Sequence, residues 1–342
     1  SYYSVFAGIA FSYMFNIFPS GLEIPSKYST NYFSSFAASP LKLILWHSIF
    51  IIFTCLIVGY GVVKGIGRSV SFLMPIFFIF IILIAIYSSL IGDIDSTLFF
   101  LFNPNFSALS PQVIISAMGQ AFFSLSIGMG AIMAYGAYIP ENQLIGKTVL
   151  SIILLDTFVA LIAGIAIFPI VFSNSDLTIN AGPSLIFETL PVAFYSLPFG
   201  NIFSVLFFVL LSIAALSSSI SLLEPFTAWM EEKFNTERRI IVSILGLLIW
   251  VIGLGSIFSF NIGQEIKFFG LNFLEGLDYL TNNIMLPMGG FFIALLTGWI
   301  LPKHFLEENL NINGYLFKLL FFCLRYISTG AILLIFLYSA FL

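Results

Sequence analysis

Long apolar runs separated by short polar breaks set the pattern of this chain. A helix needs about 20 apolar residues to cross the hydrocarbon core of a bilayer. Nine stretches qualify: Ser1 to about Phe18, Leu41 to Val62, Val70 to Ile91, Gln112 to Ala137, Thr148 to Phe172, Ile202 to Met230, Ile240 to Phe260, Tyr279 to Leu301 and Leu319 to Leu342. The pattern predicts an all-α, polytopic membrane protein. Between the fifth and sixth stretches, residues 173 to 200 hold SLIFETLPVAF, bracketed by Pro183, Pro191 and Pro198. That segment is too short and too punctuated to span, so it predicts short helices lying on, or dipping into, one face.

Composition sharpens the picture. The 342 residues are 60% hydrophobic and only 8% charged, with a mean hydropathy of +1.08, a balance that no soluble domain needs. Basic residues divide unevenly among the loops, which sets orientation. Lys64, Arg68, Lys147, Lys233, Arg238, Arg239, Lys303 and Lys318 follow the second, fourth, sixth and eighth spans, whereas the opposite loops hold only Lys27, Lys42 and Lys267. The first group is expected in the cytoplasm, which runs the first span outward and leaves residues 173 to 200 outside. Arg325, early in the last span, has a stem long enough to snorkel to the cytoplasmic interface. No linker divides the chain, so residues 1–342 are expected to form a single transmembrane domain. Ser1 opens in apolar sequence with no initiating methionine and no signal-peptide layout, so the chain is expected to begin inside a helix with sequence preceding it.

The fourth span carries residues unusual for a regular membrane helix. In GQAFFSLSIGMGAIMAYGAYIP, from Gly119 to Pro140, two hydroxyls (Ser124, Ser126) and two glycines (Gly128, Gly130) stand mid-membrane. One reading is a broken helix whose loosened backbone groups and hydroxyls coordinate an ion or polar substrate, since freed backbone is tolerated there only against protein or a watery cavity. The other is a continuous helix using small residues for close packing.

Ionisable groups within spans are costly, and each is a functional candidate. Asp156 lies about eight residues into the fifth span, in LLDTFVALIAGIAIFP. It is expected to hold a cation, with Ser124 completing an oxygen cage for a hard ion such as sodium; the alternative is a protonated or hydrogen-bonded structural aspartate. In the sixth span, the Ala214 carbonyl and the Ser217 and Ser218 hydroxyls fall on one helical face and make a part-shell for a monovalent cation. Serines in membrane helices also bond their own backbone or a neighbouring helix, so both readings stand. Glu224, before Pro225, could satisfy carbonyls at the proline or pair with a base. Enzymatic equipment is missing: the two cysteines, Cys55 and Cys323, lie in separate apolar segments, and the two histidines, His47 and His304, have no zinc spacing. No enzyme activity, organic cofactor or nucleic-acid partner is expected.

Taken in order, GQAFFSLSIGMGAIMAYGAYIP, LLDTFVALIAGIAIFP, AGPSLIFETLPVAF, LSSSISLLEPFTAWMEE and LDYLTNNIMLPMGG closely resemble the bacterial amino-acid transporter branch of the neurotransmitter:sodium symporter family. The resemblance runs from Ser1 to Leu342. It implies the inverted-repeat sodium-symporter fold, N-terminally truncated, with the family's third to eleventh helices present. It further implies two sodium ions and an amino acid bound at mid-membrane. Tyr3 matches the tyrosine that holds the substrate carboxylate, Phe123 the aromatic lid, and Ser126, Met129, Ser218 and Leu222 pocket-lining positions. Ser124 and Asp156 match ligands of the first sodium; Ala214, Ser217 and Ser218 match those of the second. Gln120 and Asp278 resemble outer-gate residues, Tyr138 and Glu232 cytoplasmic-gate residues, with their partners expected in helices preceding Ser1.

By the same resemblance the chain is expected to be a sodium-coupled symporter of the bacterial inner membrane, inactive as truncated, with the lipid bilayer, sodium ions and an amino acid as partners. Chloride-dependent relatives place an anion near the first sodium, where this chain has the fixed carboxylate of Asp156, so chloride is expected not to be required. Phe123, Met129 and Leu222 suggest a hydrophobic or aromatic substrate. The rivals are a passive pore, which needs a continuous polar lining, and a non-transporting amino-acid-binding protein or degenerate remnant of the fold.

Overall fold

The computed structural model describes residues 1–16, 26–139, 145–173, 183–195, 197–310, 312 and 314–341. In chain order its helices are α1 (Tyr2–Asn16), α2 (Ser26–Ala37), α3 (Pro40–Gly59), α4 (Arg68–Ile91), α5 (Ile94–Phe102), α6 (Pro111–Ser124), α7 (Ala131–Gly136) and α8 (Ile145–Phe172). They continue with α9 (Leu190–Tyr195), α10 (Gly200–Phe234), α11 (Arg238–Phe258), α12 (Phe273–Tyr279), α13 (Leu286–Leu295), α14 (Lys303–Leu310), α15 (Tyr315–Phe322) and α16 (Thr329–Phe341). Strand pairing among the described residues is limited to one isolated bridge, Phe268 with Leu271.

Seven of the nine expected spans are helices or helix runs long and apolar enough to cross a membrane: Pro40–Gly59, Val62–Ile91, Ile145–Phe172, Gly200–Phe234, Arg238–Phe258, Phe273–Ile300 and Tyr315–Tyr338. Of the other two, the first is the 15-residue α1, its expected end at Phe18 lying outside the described residues. The second, Gln112 to Ala137, is interrupted between α6 and α7. Of the segment 173–200, the described part forms a π turn at Leu185–Thr189 running into α9. Large apolar side chains cover much of the outer surface, among them Leu154, Phe158, Leu247 and Val251, each more than half exposed. Such a surface belongs against lipid rather than water.

The described chain divides into two compact units, Ser1–Asn103 with Ala160–Leu274, and Pro104–Val159 with Glu275–Leu342. In the first, α1 packs on α3 and α10, and α11 packs on α3. Ile9, Phe50, Phe208 and Ile220 at their centre are wholly buried. Tyr13 packs its ring 4.8 Å from that of Phe208 and donates its hydroxyl to the Phe187 carbonyl at 2.9 Å, which ties the π turn before α9 into this core. Burial of the ring and satisfaction of its hydroxyl go together, as a tyrosine in a dry interior requires.

Glu224, inside α10 and wholly buried, is ion-paired with Arg238 at the start of α11. Arg238 also pairs with Glu231 at 3.1 Å and donates from Nε to the Val58 carbonyl at 2.8 Å, so it joins α10, α11 and the end of α3. Of the two sequence readings of Glu224, the pairing with a base is the one realised. Pairing makes a buried carboxylate tolerable; removing one partner leaves an uncompensated charge. Arg238→Gln is therefore expected to cost about 3 kcal/mol or more, seen as a lower thermal unfolding midpoint in detergent, and replacing both Glu224 and Arg238 by Met to recover most of it. An unchanged midpoint for Arg238→Gln would show that the pair does not clamp these helices.

The second unit is built on α13, which packs on α16, with α16 in turn against α6. Three π turns, Leu280–Met285, Leu296–Ile300 and Cys323–Ser328, interrupt its helices. Such bulges leave backbone groups out of the α-helical ladder and often mark functional positions.

Candidate functional site

The α-helical ladder of α6 stops at Ser124. The amides of Leu125, Ser126 and Ile127 turn back to the carbonyls of Ala121 (3.1 Å), Phe123 (3.0 Å) and Phe122 (3.0 Å), and helix resumes where Gly130 accepts from the Ala134 amide at 2.9 Å. Three residues of the break have positive φ: Ser126 (53°), Gly128 (88°) and Gly130 (80°). Glycine adopts that region freely, whereas a residue with a Cβ does so at a cost. The stretch is thus a broken helix and not a continuous one. Pro140, the end of the stretch, lies outside the described residues.

Close approach to α13 explains why Gly128 in particular has no side chain. A Cβ there would press on the Leu286 carbonyl and lie 2.9 Å from the Gly290 amide nitrogen. On the α13 side, a Cβ on Gly290 would run into the Phe122 ring. The loosened backbone is therefore covered by protein, as hydrocarbon requires.

At the end of α6, Ser124 donates its hydroxyl to Asp156 Oδ2 at 3.0 Å. One carboxylate and one hydroxyl, converging within hydrogen-bonding distance beside a helix break, are hard oxygen donors of the kind that suits an alkali cation and not a soft metal. No group of three or more His, Cys, Asp or Glu side chains with metal-binding spacing occurs among the described residues. Gln120 and Phe123, on the same helix, line a cavity of about 540 Å³ together with Ser116, Asn282, Asn283 and Tyr338. Asp278 accepts from Asn282 Nδ2 at 2.8 Å, while Asn282 Oδ1 is buried without a partner among the described residues. Ser126 and Met129 sit in the break, and Tyr138, half-exposed, lies just beyond α7.

The remaining candidates belong to the first unit. Tyr3 donates its hydroxyl to the Ala215 carbonyl at 3.3 Å, which brings α1 to the serine stretch of α10. There Ser217 donates to the Ala214 carbonyl at 2.9 Å, and Ser221 to the Ser217 carbonyl at 3.0 Å. This is the back-bonding common to serines in membrane helices, and it also sets two oxygens of the expected part-shell side by side. Ser218 is exposed and Leu222 half-buried, one helical turn apart; Glu232 is exposed near the end of the same helix. The structure thus gathers Gln120, Phe123, Ser124, Ser126, Met129, Tyr138, Asp156 and Asp278 in one unit and Tyr3, Ala214, Ser217, Ser218, Leu222 and Glu232 in the other.

Sequence reasoning missed Asn282, Asn283 and Thr54, whose hydroxyl meets Ser219 at 2.8 Å. The signal for the first two was present: adjacent amides in the apolar run LTNNIM are costly in a membrane unless they bond or face a cavity.

An all-helical membrane protein with an interrupted helix and converging oxygen donors at its break has the construction of the broken-helix transporters. The family model described as the Sodium:neurotransmitter symporter family matches residues 34–342, and the chain belongs to that family. An uncharacterized sodium-dependent transporter of Bacillus subtilis, YhdH, is 33% identical over 342 residues, covering 98% of this chain and 76% of its own length. An uncharacterized sodium-dependent transporter of Haemophilus influenzae is 31% identical, covering all of this chain and 76% of its own length. The crystal structure of MhsT in complex with L-phenylalanine superposes with a TM-score of 0.90 at 40% identity, over 99% of this chain and 78% of that one.

The break makes a direct prediction. Gly128→Ala should cost roughly 2 kcal/mol or more through its left-handed φ and the crowding on Leu286, lowering the thermal midpoint and the folded yield. Gly119→Ala, inside α6 with open space around it, should be neutral or stabilising by up to about 1 kcal/mol. Equal midpoints for the two variants would show that the break does not depend on Gly128.

Proposed function

We propose that residues 1–342 form a single transport domain of a sodium-coupled amino-acid symporter working by alternating access in the bacterial inner membrane. The observation that carries the reading is the Ser124–Asp156 pair beside the helix break, with membership of the family behind it. In this account the first sodium replaces the hydrogen bond between those two side chains and is held by both oxygens. The second is held by the Ala214 carbonyl with Ser217 and Ser218. The family resemblance assigns Tyr3 to the substrate carboxylate, and Phe123, Ser126, Met129, Ser218 and Leu222 to its side chain. That set is apolar with a few hydroxyls and carries no charge to pair with an acidic or basic side chain, which supports a hydrophobic or aromatic amino acid. The L-phenylalanine held by the solved relative supports the same class. Gln120 and Asp278 serve the outer gate, Tyr138 and Glu232 the cytoplasmic one, and residues 173–200 lie outside as a short-helix, re-entrant loop.

Asp156 also removes the need for a bound chloride. Its fixed negative charge does at the first sodium site what a bound chloride would otherwise do. Because coupling is a linkage between two binding free energies, sodium must tighten substrate binding by the same factor as substrate tightens sodium binding.

One assay tests both points: amino-acid uptake into proteoliposomes by protein expressed from its intact gene, with sodium and chloride varied separately at fixed membrane potential. Wild-type uptake should be unchanged when gluconate replaces chloride. Asp156→Ala should raise the sodium concentration for half-maximal uptake by about tenfold or more, the equivalent of at least about 1.4 kcal/mol, and weaken substrate binding with it. Normal sodium dependence in Asp156→Ala would refute the ion assignment, and a steep chloride requirement in the wild type would refute the charge argument. Amino-acid binding with no uptake under any gradient would favour a non-transporting binding protein.

A further inference from the structure

At the Lys-rich end of the second unit, two π turns face each other, Leu296–Ile300 and Cys323–Ser328. They pack so closely that a Cβ on Gly298 would lie 2.9 Å from the Arg325 Cα. Trp299 clamps the pair by donating its indole N–H to the Arg325 carbonyl at 3.0 Å. The Arg325 guanidinium then lies 4.4 Å from the centroid of the Trp299 ring and 5.7 Å from that of Tyr326.

Among the described residues Arg325 has no ion-pair partner: both ion pairs belong to Arg238, and Arg325 Nε is buried without a hydrogen-bond partner. Aromatic faces attract a guanidinium but accept none of its hydrogen bonds. A cation so placed in a membrane segment needs an anion or an acceptor. The planar fork of Arg fits a phosphate better than any other anion but a carboxylate.

The surroundings of the guanidinium identify the source of that phosphate. Trp299, Tyr326 and Phe322 are each half-exposed, and their rings adjoin, with centroids 5.7 Å (Trp299 to Tyr326) and 5.2 Å (Phe322 to Tyr326) apart. A free phosphate has no use for that apolar wall, whereas a phospholipid has a glycerol backbone and acyl chains to lay against it. Exposed Lys318 stands two helical turns before Arg325. Lys303 lies over the rings of Phe317 and Phe321, at 5.7 and 5.5 Å, and adds positive charge at the same end, which favours anionic over zwitterionic headgroups.

The geometry points to a binding site for one anionic phospholipid, its phosphate taken by the outer end of the Arg325 guanidinium and its glycerol and upper acyl chains lying on Trp299, Tyr326 and Phe322. The site is independent of the transport reading, apart from the orientation that puts the Lys-rich loops on the cytoplasmic side.

Native mass spectrometry of the detergent-purified protein, titrated with phosphatidylglycerol or phosphatidylcholine, tests it. Wild type should retain phosphatidylglycerol in preference, and Arg325→Gln should lower that retention roughly tenfold, the size expected for losing one hydrogen bond to a charged group. Equal retention by wild type and Arg325→Gln, or no preference between the two lipids in wild type, would overturn the site. Displacement of phosphatidylglycerol by inorganic phosphate at matched concentration would show a plain anion site and overturn the lipid assignment. Should Arg325→Gln fail to fold, Trp299→Leu, which keeps the guanidinium and removes its aromatic wall, must still lower retention; unchanged retention would overturn the proposal.

Discussion

Hydrocarbon offers no partner to a free backbone amide or carbonyl, and that constraint governs this structure. A helix can be interrupted at mid-membrane only if protein closes over the gap. Here the closure is the approach of α13 to the turn between α6 and α7, possible because Gly128 and Gly290 present no side chain to their neighbours. Once the turn is admitted, Ser124 is left at a helix end, where its hydroxyl reaches Asp156 at 3.0 Å while lying 3.5 Å from the Ala121 carbonyl. The site is thus a consequence of how the break is accommodated: backbone strain, glycine packing and oxygen convergence are one arrangement.

The same intolerance applies to charge, and the chain answers it in two ways. Glu224 and Arg238 neutralise each other inside the first unit, with Glu231 and the Val58 carbonyl each accepting one further N–H of the guanidinium. Arg325 has no such carboxylate among the described residues and is instead flanked by aromatic rings at the edge of the second unit. The first solution closes a core; the second leaves a cation against aromatic faces with Nε unpartnered among the described residues.

Much of the architecture was legible because membrane helices announce themselves by length and apolarity. The spans around Ile51, Ile84, Ile162, Ile213, Leu248, Phe292 and Leu333 all appear as continuous helices or helix runs. At Gly119 to Pro140 the hydropathy was silent, since glycine serves close packing and sharp turns alike; only the positive φ of Ser126, Gly128 and Gly130 separates the two uses. Asp156 stood out by its cost, and the hydroxyl expected beside it is there. The role of Arg238 was hidden because a basic residue at a helix start reads as an orientation signal, and its partner Glu224 is fourteen positions away along a different helix. Asn282 and Asn283 had a legible cost inside an apolar run, but the cavity that they line is a tertiary property.

The central claim is that oxygen donors gathered by a broken helix bind sodium in linkage with an amino acid. It is tested most directly by the equilibrium binding of radiolabelled phenylalanine to the purified, detergent-solubilised protein expressed from its intact gene, with sodium exchanged for potassium at constant ionic strength. The account predicts binding that tightens steeply with sodium and is lost in potassium, with phenylalanine tightening sodium binding by the same factor. Equal phenylalanine affinity in the two salts would contradict it.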